Sequence, residues 1–284
     1  MGLNETHDSN ARSWIASANA ERAEFPLQNL PFGVYRRRGS TGARRIGVAI
    51  GDVILDVHGA AAAAGFVGAA KVAADASAGE TLNALLALDP AYWSTLRLAL
   101  FRALRSDAPA NIQQALQGLV TPQGDAELAL PIGVADYTDF YASIHHASNA
   151  SRVLGRPEPV RPAYHYLPIA YHGRASSIVV SGTPVKRPKG QFAPQGTTIY
   201  APSQKLDYEL EMGIVIGGDS VLGVPVTLKE AERHVFGLCL LNDWSARDIQ
   251  FWEGQPLGPF LGKNFATTIS PWIDRKSTRL NSSH

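Results

Sequence analysis

The sequence has only one cysteine, Cys239, which lies in an apolar run at residues 237–241. A single cysteine excludes an internal disulfide, and its apolar neighbours predict a small residue of the hydrophobic core. No charge of one sign dominates, because the formal charge is +1 and charged residues make up 18% of the chain. That balance gives no argument for nucleic acid or a membrane surface as a partner.

Long hydrophobic runs are also missing. No apolar stretch reaches the length that spans a bilayer, and the polar N-terminus lacks a signal-peptide pattern. We therefore expect a cytoplasmic protein. Its 284 residues, 45% of them hydrophobic, are enough for two domains with a sizeable core.

The pattern of apolar residues changes along the chain. Up to about residue 58 it predicts strands, with runs at 32–35 and 45–56 broken by Gly and Asp turns. From Ala60 to about Ala129 it predicts helices rich in alanine. Apolar residues there follow helical spacing at Leu82, Leu85 and Leu86, and again at Trp93, Leu96 and Leu100. Asp89 and Pro90 are expected to separate these two helices.

The composition changes again near Pro131, beyond which lie most of the Tyr and His residues. We therefore predict an N-terminal domain at 1–129 and a second, strand-rich domain at 130–273. Residues 274–284 read DRKSTRLNSSH, which matches the in-frame translation of a common sequencing-library adapter. We expect this segment to be a non-native tail and the natural sequence to be truncated near Ile273.

A run of alternating acidic and apolar residues at 205–212 carries the strongest chemical signal. On a single strand Asp207, Glu209 and Glu211 would share one face, with a buried apolar run following at 213–216. Like charges on one sheet face repel, so this pattern predicts a divalent cation between them. Oxygen ligands favour Mg²⁺ or Ca²⁺ over zinc. The alternative is a solvated edge strand with acidic outer positions.

Four further segments carry polar residues suited to the same site. They are DYTDFYASIHH at 136–146, YHGRASS at 171–177, NDWSARDIQ at 242–250 and GPFLGKNFAT at 258–267. Each has a plain alternative: His145 and His146 could cap a helix, Arg247 could pair with Asp248, and Lys263 could be an exposed loop residue. Together they supply carboxylates, histidines, cations and phenols, which is the set that metal-assisted attack on a carbonyl requires.

These segments, in this order and spacing, resemble the fumarylacetoacetase family. The resemblance rests on DYTDFY, YHGRASSIVVSGTP, LDYELEMG, NDWSARDIQ and PLGPFLGK, and it includes NLPFGV at 29–34. It implies a mainly β fold with helices, in which a small SH3-like N-terminal domain precedes a β-roll domain. It also implies a homodimer. The implied reaction is hydrolysis of the carbon–carbon bond of 4-fumarylacetoacetate to fumarate and acetoacetate, the last step of tyrosine and phenylalanine breakdown.

The resemblance also implies roles for individual residues. The implied metal ligands are Asp139, Glu209, Glu211 and Asp243, with further contacts near Lys263 and Thr267. The implied catalytic residues are His146 as the base that activates water, and Lys263 and Arg247 as groups that stabilise negative charge. The implied substrate-binding residues are Tyr141, Tyr171, Gln250 and Arg156, with Arg152 as an alternative to Arg156. The implied cofactor is Mg²⁺, Ca²⁺ or both.

The sequence departs from the family pattern at Gly254, in the spacing of the arginine after the histidines, and at its C-terminal end. Gly254 stands where the family usually has a substrate-contacting tyrosine. The family's carboxylate that orients the histidine lies beyond Ile273, so we expect this chain to be nearly inactive even if it binds Mg²⁺. Two alternatives remain: an acylpyruvate-type hydrolase of a smaller diketo acid, and an inert metal-binding fragment.

Overall fold

A computed structural model describes residues 4–153 and 155–275 of the chain. Within these ranges the helices are α1 Val57–Ala63, α2 Gly68–Asp75, α3 Asn83–Leu86, α4 Pro90–Leu104, α5 Ala110–Gln117, α6 Ile144–Val153, α7 Leu228–His234 and α8 Arg247–Glu253. Short 3-10 helices lie between them at Glu5–His7, Ala16–Asn19, Gln123–Asp125, Pro162–His165, Ala175–Ser177 and Pro194–Gly196.

The strands fall in both halves of the described chain. They are β1 Phe32–Arg37, β2 Arg45–Ile50, β3 Val53–Asp56, β4 Val120–Pro122, β5 Ala126–Ala129, β6 Thr138–Phe140, β7 Ala170–His172, β8 Ile178–Val180, β9 Lys189–Phe192, β10 Ile199–Pro202, β11 Leu206–Asp207, β12 Leu210–Ile216, β13 Val235–Asp243, β14 Ser245–Ala246, β15 Thr267–Ile269 and β16 Trp272–Arg275. This mixture of strands and helices confirms the predicted fold class.

The N-terminal strands form where the apolar runs predicted them. The hairpin of β2 and β3 turns at Gly51, whose φ of +54° is a left-handed conformation that favours glycine. A Cβ at this position would also lie 2.2 Å from Oγ of Ser17, so the turn packs closely against the preceding segment. Strand β1 pairs with β2 on one side, and on the other with β16 near its start and β5 near its end.

Helix α4 also begins and packs as its sequence predicted. Oδ1 of Asp89 accepts a hydrogen bond from N of Ala91 at 2.9 Å, and Pro90 occupies the first turn, where its missing N–H costs nothing. Trp93, Leu96 and Leu100 are fully buried. Each such side chain contributes about 1.5–3 kcal/mol to stability through burial.

The helical prediction is wrong for residues 120–129. This segment forms β4 and β5, which pair with β3 and β1 respectively. Pro122 and Gly124 are poor helix formers, and the two strands already present supply partners for the backbone N–H and C=O groups. Tertiary pairing therefore outweighs the helical tendency of the alanine-rich stretch.

The main sheet runs through both parts of the chain. Its order is β4-β3-β2-β1-β16-β13-β15-β8, with β12 also paired to β13. Strand β13 carries Cys239, which is buried and free, as predicted for a core residue. The division into domains at residue 129 stays a prediction. No helix among the described residues has the length and apolar character to cross a bilayer.

The acidic run at 205–212 differs from its prediction in two ways. It is split between β11, which pairs with β14, and β12, which pairs with β13. The apolar run after it is only partly buried, since Val215 is buried but Ile214 is 59% exposed and Ile216 60% exposed. Glu209 and Glu211 are half-buried, whereas Leu210 and Met212 are exposed. The alternation is real, but the acidic side faces the protein, because cationic groups lie on that side.

The last described strand overlaps the expected tail. Asp274 and Arg275 lie in β16 and pair with Leu238 and Gly237 of β13. The guanidinium of Arg275 is fully buried, over the rings of Trp93 and Phe236. Residues 276–284 of the expected tail lie outside the described residues.

Candidate metal centre and active site

One wall of the site is the antiparallel pair of strands β6 and β7. Asp139 and Tyr171 are directly opposite each other across the two strands. The phenol of Tyr171 hydrogen-bonds the Asp139 carboxylate. Helix α6 lies in the connection between β6 and β7 and places His145 and His146 in its first turn, where the sequence predicted a short helix.

The opposite wall is formed where β12 begins and β13 ends. N of Asp243 donates to O of Glu209 at 3.0 Å, and N of Glu209 donates to Oδ1 of Asn242 at 3.2 Å. These bonds hold Glu209 next to Asp243, which is 1% exposed. Thr267 of β15 is the strand partner of Asp243 on the other side and is also buried.

Three carboxylates from the two walls meet. Asp139, Glu211 and Asp243 each offer an oxygen, and these oxygens lie within 4.8 Å of one another. Burial, followed by the charges of Asp139 and Asp243, raises the pKa of Glu211 to about 7. Burial also raises the pKa of Asp139. Carboxylates held this close out of water repel one another, which a divalent cation would relieve.

The donor set fits a hard divalent ion. All three groups offer oxygen, as Mg²⁺ and Ca²⁺ prefer. The phenol oxygen of Tyr137 is buried and has no hydrogen-bond partner in the part of the chain that the structure describes, and the charges of all three carboxylates act on it. A buried polar atom without a partner next to a carboxylate cluster is typical of a site that accommodates an ion and its water. Asp139, Glu211 and Asp243 are therefore the residues suited to hold Mg²⁺ or Ca²⁺.

Glu209 lies beside this group, and its two oxygens have cationic partners. Oε1 accepts from Nη2 of Arg247, and Oε2 accepts from Nζ of Lys263 at 2.7 Å. The sequence placed Glu209 among the metal ligands, and that assignment stays a prediction. In the structure Glu209 links the metal cluster to the two cations.

Lys263 is buried, contrary to the alternative of an exposed loop residue. Its Nζ donates to Glu209, to Oδ2 of Asp243, and to Oγ of Ser245 at 2.8 Å. The loop before it is anchored by Glu253, whose Oε1 accepts from N of Phe260 at 2.8 Å and from N of Gly262 at 2.7 Å. The lysine therefore reaches the carboxylates from a fixed backbone position.

Arg247 is the first residue of α8 and donates hydrogen bonds to several side chains. Its Nε donates to Oδ2 of Asp207 at 2.9 Å, and its Nη1 donates to Oε1 of Gln250 at 3.1 Å. With its bond to Glu209, these contacts place Arg247 and Gln250 on the same side of the acidic cluster. The alternative pairing of Arg247 with Asp248 is wrong, because Asp248 instead accepts from Oγ of Ser203 and N of Gln204.

The histidine side of the site is open to solvent. The ring of His146 is exposed and packs edge-on against Tyr141, with ring centroids 5.3 Å apart. The charge of His146 acts on Asp139, and the charge of Arg156 acts on the Tyr141 phenol. Arg152 lies at the end of α6 and is exposed. Of the two arginines left open by the sequence, Arg156 thus has an interaction with a residue of the site.

Sequence reasoning missed three residues of this site. Ser245 and Glu253 fix the lysine and its loop, and Tyr137 lies beside the carboxylates. All three stand within motifs that the sequence singled out or directly beside them. The signal available for Tyr137 was its position two residues before Asp139, which on a strand places both on one face.

Comparisons with known proteins cover most of the chain. The family model described as "Fumarylacetoacetate (FAA) hydrolase C-terminal" matches residues 136–282, and "Fumarylacetoacetase N-terminal" matches residues 28–131. A fumarylacetoacetase from Oryza sativa is 48% identical over 261 residues, and one from Bos taurus is 45% identical over 261 residues. Each alignment covers 89% of this chain and 61% of the relative, so the chain spans about three fifths of the relatives' length.

A solved structure, the fumarylacetoacetate hydrolase from Exiguobacterium antarcticum, is 19% identical, with a TM-score of 0.47. That comparison covers 87% of this chain and 66% of the other. The two family models together match nearly the whole described chain, and the C-terminal one alone covers more than half of it. This chain belongs to the fumarylacetoacetate hydrolase family.

Proposed function

We propose that this site hydrolyses the carbon–carbon bond of 4-fumarylacetoacetate to fumarate and acetoacetate. The observation that carries the proposal is the meeting of Asp139, Glu211 and Asp243 beside the buried Lys263, in a chain of this family. The relatives are named fumarylacetoacetases, which supports the same substrate. The proposed ion is Mg²⁺ or Ca²⁺, held by the three carboxylates.

The bound ion would supply Lewis acidity, polarising the carbonyl under attack and orienting the diketo acid. The chain's own groups carry the remaining steps. A ring nitrogen of His146 accepts a proton from water, whose oxygen attacks the carbonyl carbon. The bond between that carbon and the neighbouring methylene then breaks. Its electron pair goes to the methylene carbon, which takes the proton held by His146 to give acetoacetate, while the attacked carbon becomes a carboxyl group of fumarate.

Two cations stabilise the negative charge that develops on the attacked oxygen. Lys263 is buried, so its charge acts through a medium that screens less than water does. Arg247 balances Glu209 and Asp207, which keeps the region around the lysine from becoming strongly negative. Tyr171 orients Asp139, while Tyr141, Gln250 and Arg156 are proposed to bind the substrate's polar groups.

We also propose that the protein assembles as a homodimer. The outward face of β12 and β13 carries apolar side chains that are more than half exposed, namely Leu210, Met212, Ile214, Ile216 and Leu240. Contiguous apolar surface of this kind is typical of an association surface. Light scattering after size exclusion would test this, and a monomer at all concentrations would contradict it.

The assay for the proposed function follows the loss of diketone absorbance from fumarylacetoacetate with excess Mg²⁺. It compares the 284-residue chain with an extended chain, in which the C-terminal segment of the rice relative follows Ile273. Metal-dependent turnover that Asp243→Ala abolishes would support the proposal. Turnover only of a smaller acylpyruvate would favour the alternative hydrolase. Mg²⁺ binding without turnover in either chain would favour an inert metal-binding protein.

A further inference from the structure

Tyr137 is held in place by the pair of strands that carries Asp139. Its backbone O accepts a hydrogen bond from N of Gly173 at 2.8 Å, which extends the ladder of β6 and β7 by one step. Its ring lies directly on Gly173, since a Cβ at that glycine would be only 2.0 Å from Cδ1 of Tyr137. Gly173 is therefore the residue that leaves room for the tyrosine ring.

The phenol oxygen of Tyr137 is buried and has no hydrogen-bond partner among the described residues. Four carboxylates lie close enough for their charges to act on it, Asp243 most strongly, followed by Asp139, Glu211 and Glu209. Three of these four are the residues suited to hold the ion. A buried hydroxyl without a partner is unfavourable, so its retention beside this cluster needs an explanation.

Tyr171 shows what such a phenol does on this pair of strands. It stands opposite Asp139 and donates its O–H to that carboxylate. Tyr137 precedes Asp139 by two residues, so on the extended chain its side chain leaves the strand on the same face as Asp139. Two phenols therefore flank one carboxylate, and only one of them has an acceptor in this structure.

We propose that Tyr137 is a positioning residue of the metal centre, whose O–H donates to the Asp243 carboxylate when a divalent cation draws the three carboxylates together. The inference rests on the proposed metal site. Carboxylates that bind metals are generally hydrogen-bonded in turn, and loss of such a partner typically weakens metal binding about 10–100-fold. The role is distinct from catalysis, because the phenol acts on the ligands of the ion.

The test compares Tyr137→Phe with the wild-type chain by titration calorimetry with Mg²⁺ and by thermal unfolding without Mg²⁺. We expect the dissociation constant to rise at least about tenfold. We expect the Tm without Mg²⁺ to stay the same or rise, because the substitution removes a buried hydroxyl that has no partner. A tyrosine with a purely structural role would give the opposite two results, a lower Tm and an unchanged dissociation constant. That result, or an unchanged dissociation constant by itself, would overturn the proposal.

Tyr35→Phe is the matched control. Tyr35 is a buried tyrosine of the N-terminal part, and its phenol hydrogen-bonds Thr121. We expect this variant to lower the Tm and to leave Mg²⁺ affinity unchanged, and weakened Mg²⁺ binding here would mean that the effect at Tyr137 is not specific. Wild-type protein that binds no Mg²⁺ would overturn the metal site and the role of Tyr137 together. Mg²⁺ binding by the wild-type chain, with no hydrolysis of fumarylacetoacetate by the extended chain, would overturn only the proposed reaction, and the affinity comparison at Tyr137 would stand.

Discussion

Nζ of Lys263 lies 2.7 Å from Oε2 of Glu209, in a position where it also contacts Asp243. The lysine is thus the internal counter-charge of the carboxylate cluster. We expect Lys263→Met in the extended chain to lower kcat about 10²–10³-fold, as loss of a charge-stabilising donor typically does. Mg²⁺ affinity should hold or increase, because a competing cation is removed.

The control for this prediction is Lys229→Met on α7, which exchanges an exposed lysine remote from the cluster. It should leave both kcat and Mg²⁺ affinity unchanged. If Lys263→Met kept its kcat, the charge stabilisation would have to be reassigned to Arg247.

Variants of the two adjacent histidines of α6 form a matched pair that tests which histidine is the base. His146 packs against Tyr141 and its charge acts on Asp139, whereas no such interaction with the site is found for His145 among the described residues. We expect His146→Ala in the extended chain to lower kcat about 10²–10⁴-fold, as loss of a general base typically does. Mg²⁺ binding should persist. His145→Ala should resemble wild type, and the reverse pattern would move the base to His145.

The raised pKa of Glu211 predicts how Mg²⁺ binding depends on pH. Its pKa is raised from an ordinary 4.5 to about 7, so the folded protein favours its protonated form. This contribution to stability is complete below pH 4.5 and is lost as the pH rises through about 7. A metal ion needs the ionised carboxylate, so Mg²⁺ affinity should rise between about pH 5 and 7, with release of protons. Calorimetry in buffers of different ionisation enthalpy measures the Mg²⁺ affinity and the number of protons released. An Mg²⁺ affinity that does not change over this pH range would contradict the interpretation.

Replacement of Glu253 is predicted to displace the loop that carries Lys263. Its Oε1 accepts from N of Phe260 and N of Gly262, and a Cβ at Gly262 would lie 2.6 Å from N of Gln250. We expect Glu253→Ala to lower kcat of the extended chain about 10–100-fold through misplacement of the lysine. Glu253→Gln keeps an acceptor oxygen and should retain most of the activity. Equal losses in both variants would point to the charge of Glu253 instead of its position.

Replacement of the buried Arg275 is predicted to stabilise the protein. Two of its guanidinium nitrogens are buried and have no hydrogen-bond partner within residues 4–153 and 155–275, and burial with the nearby charge of Arg97 lowers its pKa to about 9. We expect Arg275→Met to raise the free energy of unfolding by about 1–2 kcal/mol, because the variant keeps the packing against Trp93 and removes a buried charge. Urea denaturation measures the change. A lower stability would mean that the contacts with Phe236 and Trp93 outweigh the burial of the charge.

Local features of the chain were readable from the sequence. Asp89 and Pro90 define the start of α4 because capping depends on neighbouring residues alone. The same holds for the hairpin turn at Gly51 and for the alternation of acidic and apolar residues around Glu211. The motifs also identified the family, since they place the same residue types in the same order along the chain.

Only the tertiary structure decided which side of β12 faces the protein. Alternation of side chains is a property of any strand, but it does not say which face other elements cover. Lys263, Arg247 and Asp139 arrive from distant segments, and their contacts turn the acidic face inward and leave Leu210 and Met212 exposed. The same long-range packing makes strands of residues 120–129 and places Tyr137 beside Asp243. Contacts between residues so far apart in sequence are set by the pairing of whole strands, which no local pattern encodes.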